Sequence, residues 1–189
     1  MDVGETYRRS VEGWLAVAAR VRDWTAPTPC SDWTVRELVN HVVGEDRWTR
    51  PLVEGQTIAE VGDSLSGDLL GEDPGGAVLA AAAEALGSVQ ERLEGGGIVH
   101  LSYGDEDLAE YVRQLTADHL VHGWDLAAAS GQDRTLDADV VAEVAAWYAD
   151  REALYRGAGI VAERPAGVTS SGPQDDLLLA FGREPDWSA

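Results

Sequence analysis

Residues 108–126 carry the pattern that most restricts what this chain can fold into. Leu108, Tyr111, Val112, Leu115 and Leu126 fall on one stripe when the segment is wound as a helix at about 100° per residue. A helix with such a stripe must bury it against another element. His122 stands in the middle of the stripe, and Asp118 sits one turn earlier on the same side. His119 lies on the other flank, and Asp125 lies beyond Asp118. The fold must therefore pack a long helix while satisfying ionisable groups on the face that should be driest. An ionised carboxylate buried without a partner costs too much to be incidental.

The rest of the chain supplies partners for that helix. Residues 5–24 place Val11, Trp14, Leu15, Ala18 and Val21 at helical spacing. Pro27 and Pro29 then force a loop. Thr34-Val35-Arg36-Glu37 is a capping box, with Trp33 and Leu38 placed for a hydrophobic staple. The helix it opens is expected to run to about 55, with a bend before Pro51. Residues 56–73, rich in Gly and Asp, are expected to form a long, weakly structured crossover. A third helix is expected over 75–94, with Pro74 in its first turn and three glycines at its end. Residues 98–103 alternate apolar and polar and form the one strand candidate, a short β-hairpin at most. The fourth helix is expected over 107–130, ended by Gly131, and a fifth over 137–156. The tail 160–189 has one short apolar run, 177–181. This predicts an all-α fold in one domain over 1–189: a four-helix bundle with an additional helix.

Charge and composition narrow the function. Acids outnumber bases 34 to 14, for a formal net charge of −20. Such a surface repels phosphate backbones and anionic membranes, so neither nucleic acid nor membrane is an expected partner. All the basic residues are Arg, which removes Schiff-base lysines and the Walker-type phosphate lysine. The lone Cys30 excludes an internal disulfide and a cysteine metal cluster; it is either a reactive loop thiol or a small buried residue. No Gly-x-Ser-x-Gly elbow occurs. The N-terminus has no apolar core of a secretory signal and no run is long enough to span a membrane, so the expected location is cytoplasmic.

The second helix offers a partner for Asp118 and His122. His41 lies at the edge of the stripe made by Val35, Leu38, Val39 and Val42, and Glu45 follows one turn on. If the second and fourth helices face each other, His41, Asp118 and His122 meet inside the bundle. Two imidazoles and one carboxylate suit Zn²⁺ with an open position, and equally Fe²⁺ or Ni²⁺. The other reading of Asp118 and His122 is a buried ion pair or hydrogen-bonded pair. Asp125 is placed to accept from a ligand histidine. Glu45 and His119 are the candidates for moving a proton. His100 has no assigned role.

Two stretches carry a resemblance. One is Pro29-Cys30-Ser31-Asp32-Trp33-Thr34-Val35-Arg36-Glu37-Leu38-Val39-Asn40-His41-Val42-Val43-Gly44. The other is Asp118-His119-Leu120-Val121-His122-Gly123-Trp124-Asp125-Leu126-Ala127. Together they resemble actinobacterial metal-binding proteins related to the N-terminal domain of mycothiol-dependent maleylpyruvate isomerase, within the DinB-like superfamily of four-helix bundles. The ending Asp175-Asp176-Leu177-Leu178-Leu179-Ala180-Phe181-Gly182-Arg183 is similar to the close of its shorter, single-domain branch. The resemblance implies a divalent metal, most often Zn²⁺, on His41, Asp118 and His122. The isomerase has Glu at the acidic position and an additional C-terminal domain, so maleylpyruvate isomerisation itself does not carry over. What carries over is a metal- and thiol-dependent transferase or isomerase using mycothiol or a related thiol on a small-molecule substrate, in a monomer or homodimer. Metal-assisted hydrolysis and a non-catalytic, stress-related metal-binding bundle are the alternatives.

Overall fold

Asp2 and Thr34 start the first two helices by the same device, a side-chain oxygen that accepts a free N–H of the first turn. In the computed structural model, which describes every residue from Met1 to Ala189, they open α1 (Val3–Ala18) and α2 (Val35–Val53). Next come a single turn α3 (Ile58–Val61) and the long α4 (Pro74–Arg92). The strands β1 (Ile98–Leu101) and β2 (Gly104–Asp107) form an antiparallel hairpin with Ile98 opposite Asp107 and Leu101 opposite Gly104. The long α5 (Leu108–Ala129) follows, then α6 (Ala138–Tyr148), α7 (Glu152–Gly157) and α8 (Pro173–Ala180). No helix is long and apolar enough to cross a membrane.

Helices α1, α2, α4 and α5 make the four-helix bundle. Tyr7 and Val11 share one apolar cluster with Leu52, Val53, Ala82, Val89, Leu108 and Val112. Trp14 shares the other with Val35, Leu38, Val39, Val78, Ala81 and Leu126. The starts of α1 and α5 thus meet the ends of α2 and α4. So α1 and α5 run one way and α2 and α4 the other. Because α2 and α4 are parallel, residues 54–73 must travel back the length of a helix, which makes them the expected crossover. Outside the bundle, α6 and α8 close over the far side of α5. There Ala117, Leu120 and Val121 pack on Val140, Val144, Tyr148 and Leu177. This leaves α5 covered on every side along its second half, from His119 to Ala128.

Three expectations need correction. The first helix ends at Ala18, not near 24. The Trp24 and Ala26 carbonyls instead accept the free N–H groups of Arg36 and Val35, at 2.9 Å each, so this stretch caps α2. The crossover is structured. Thr57 and Glu60 form a second capping box around α3. Asn40 donates to the Gly67 carbonyl and accepts from the Leu69 amide, and Arg36 pairs with Asp68. The expected fifth helix breaks after Tyr148. The Arg151 guanidinium bonds Glu110 at 2.7 Å and takes the Trp147 carbonyl, which a continuing helix would have given to the Arg151 amide. That amide bonds Tyr148 instead.

Candidate metal centre

The capping box fixes the first turn of α2 and so sets the phase at which His41 leaves the helix, two turns later. The α5 register is set by packing against α1. Gly123 lies where a Cβ would come within 3.8 Å of the Trp14 backbone, and Ser10 donates to the Thr116 carbonyl at 2.9 Å. With α2 antiparallel to α5, His41 meets Asp118. Its Nε2 is 3.2 Å from Asp118 Oδ1, and His122 Nε2 is 3.4 Å from the same oxygen. The donor atoms of His41, Asp118 and His122 all lie within 4.8 Å of one another. Trp33 walls the pair, its ring centroid 4.8 Å from that of His41 and 5.7 Å from that of His122. Solvent reaches the cluster from one edge, where the His41 and Asp118 side chains are 28% and 24% exposed.

Behind the cluster is a buried support. His122 donates Nδ1–H to Asp125 at 2.9 Å, which leaves Nε2 as the nitrogen that faces Asp118. Asp125 is fully buried and accepts from Arg183 at 2.8 and 3.1 Å. Arg183 also donates to the Cys30 sulfur at 2.9 Å, and the Cys30 thiol faces Asp125 at 3.4 Å.

Charges hold one another in place here. Burial opposes the Asp118 charge, but His122 and His41 overcome it and keep the carboxyl well below the usual range. Burial likewise opposes protonation of His122, yet Asp118, Asp125 and Cys30 raise its pKa well above the ordinary value. Burial, reinforced by Asp118, pushes Glu45 up.

The expected residues divide into two groups. His41, Asp118, His122 and Asp125 come together, and Glu45 is close enough to feel the Asp118 charge. His119 does not join them. It turns toward α1 and Asp46 of α2, fully buried, donating to the Leu115 carbonyl at 2.8 Å with Nε2 3.2 Å from Asp46. Its edge meets the Tyr7 and Trp14 rings. His100 is on β1, paired with Asp105. Sequence reasoning missed Asp46 and the role of Arg183. Asp46 was legible, because it follows Val42 by one turn on the inner stripe of α2. Arg183 offered a weaker signal, one Arg shortly after a buried Leu-Ala-Phe run.

The donor set fits a divalent cation on its own terms. Asp118 Oδ2 is buried and has no hydrogen-bond partner, so the carboxylate has capacity to spare where two imidazole nitrogens converge. All three donors also fall within a stretch that a known family covers. Residues 7–127 match the mycothiol maleylpyruvate isomerase N-terminal domain.

The chain belongs to that family. Two Mycobacterium tuberculosis proteins are similar to it. They are uncharacterized protein MT0763 of strain CDC 1551 / Oshkosh and uncharacterized protein Rv0738 of strain ATCC 25618 / H37Rv. Each is 31% identical over 195 residues, covering 97% of this chain and 98% of its own length. No solved structure matches the chain. The family match ends within α5, so α6, α7, α8 and Arg183 lie outside the matched domain.

Proposed function

We propose that this protein binds one divalent cation, Zn²⁺ foremost, through His41, Asp118 and His122, and uses it in thiol-dependent transfer or isomerisation on a small molecule. The observation that carries the metal is the convergence of the His41 and His122 Nε2 atoms on the Asp118 carboxylate, whose other oxygen is buried without a partner. The thiol follows from family membership, mycothiol or a related low-molecular-weight thiol being the cosubstrate. When bound, the cation would supply a Lewis-acid position that favours a deprotonated sulfur. The chain's own residues do the rest. Asp125 fixes the His122 tautomer and ring plane. Trp33 shields both imidazoles from bulk water on one side. Glu45, held toward its protonated form by burial and by Asp118, is placed to hold a proton beside the cluster. His119 lies outside this cluster, packed against Tyr7, Trp14 and Asp46.

A second reading, metal-assisted hydrolysis, would use the same Glu45, once ionised, to take a proton from water. A thiol would then inhibit, whereas in the first reading activity requires it.

Elemental analysis of protein purified without added metal or a histidine tag tests the shared premise. About one metal per chain is expected in the wild type, lost in both His41→Ala and His122→Ala. Absence of metal after reconstitution overturns both readings and leaves the cluster a buried ion-pair network.

A further inference from the structure

His122 belongs to two donor sets. Through Nε2 it faces Asp118 and His41; through Nδ1 it faces Asp125 and Cys30. Cys30, His122 and Asp125 also place their donor atoms within 4.8 Å of one another. A thiolate, an imidazole and a carboxylate are good ligands for Zn²⁺ and for softer cations, so this second set competes with the first for the same ion and the same imidazole.

In the structure the second set already holds a cation, one that belongs to the chain. The Arg183 guanidinium lies 2.8 Å from Asp125 Oδ2 and 2.9 Å from the Cys30 sulfur, with its Nε 3.1 Å from Asp125 Oδ1. Its side chain is only 12% exposed. It donates a further bond to the Phe181 carbonyl at 2.8 Å, so the backbone after α8 aims it inward. A guanidinium keeps its proton at every pH a protein meets and presents a planar fork that suits a carboxylate.

We propose that Arg183 is a resident cation that closes the Cys30–His122–Asp125 set and commits the metal to His41, Asp118 and His122. Arg183 is thus a positioning residue. It acts through Asp125 on His122 and keeps Cys30 out of the coordination sphere. This inference rests on the metal reading above. It adds that the choice between the two ligand sets is made by a residue outside the matched family domain.

Cobalt(II) titration of the full chain tests it, because thiolate ligation gives a near-ultraviolet charge-transfer band that nitrogen and oxygen ligands do not. Wild type and Cys30→Ser are expected to lack the band and to bind cobalt within about threefold of each other. Arg183→Met and Arg183→Gln, checked for native helix content by circular dichroism, are expected to gain the band, and adding Cys30→Ser to either should abolish it. A thiolate band in the wild type overturns the proposal. So does its absence from both Arg183 variants, or a larger affinity change in Cys30→Ser, which is the deciding comparison if neither Arg183 variant folds. Should the wild type bind no cobalt while an Arg183 variant binds it with the band, the His41 set fails and the role of Arg183 stands. Identical, band-free binding in all variants does the opposite: the His41 set stands and the role of Arg183 fails.

Discussion

At the scale of single residues, the site depends on Asp125 as much as on the donors. Replacing it with Asn keeps the shape but removes the charge that orients His122 and answers Arg183. Metal affinity in Asp125→Asn is expected to fall about 10–100-fold, measured by competition with a chromophoric chelator. An unchanged affinity would mean that His122 needs no support. The raised pKa of His122 adds a pH dependence whose sign is fixed. A proton bound to the imidazole must leave before the metal enters, so affinity falls as pH falls, and loading near neutrality releases protons. Calorimetry in buffers of different ionisation enthalpy reads that release directly. The candidate donors themselves were legible because an ionisable group on an apolar stripe is a conspicuous conflict. The role of His119 was not, since a helical wheel places a residue on a flank without saying which neighbour it meets. Asp46 on α2 decides that.

At the scale of elements, beginnings were easier to read than endings. The start of α2 is written in four consecutive residues, and α5 begins and ends within a residue of its expected limits. The break between α6 and α7 was not legible, because its cause is Glu110, 41 positions from Arg151. The end of α1 was hidden in the same way, since the carbonyls that follow it are claimed by α2. The cap of α2 also has an energetic consequence. Thr34→Ala removes the acceptor for the Glu37 amide and should cost about 0.5–2 kcal/mol, read as a lower urea midpoint at constant m. Metal affinity should fall by less than stability, because His41 sits two turns inside the helix. A loss of metal binding with no change in stability would contradict that separation.

At the scale of the whole molecule, the bundle is completed by a clasp that the family match does not include. Glu152 gathers Arg164 and Arg156, and Arg156 reaches the Ala180 carbonyl at the end of α8. Its hydrogen bonds to Arg164, then to Arg156, outweigh burial and lower the Glu152 pKa from 4.5 to about 2. The clasp therefore contributes fully above pH 4.5 and fades as pH falls toward 2. Hydrogen exchange should show residues 152–183 losing protection over that range before the bundle does, and simultaneous loss would show that clasp and bundle unfold as one. The site itself is stitched from distant parts of the chain. His41 and Asp118 stand 77 positions apart, and Cys30 and Arg183 stand 153 apart. A cation bound between α2 and α5 would therefore tie these distant segments together in the folded chain alone, stabilising it by mass action. At a hundredfold excess over its Kd it would add about 2.7 kcal/mol, and each kcal/mol moves the midpoint of a chain this size by roughly 2–4 °C, a difference that scanning calorimetry with and without chelator would record. Arg183 is also synthesised after every group it touches. Both donor sets of a nascent chain are thus complete by residue 125, and the thiol-bearing one stays open until the C-terminal segment brings Arg183 to it.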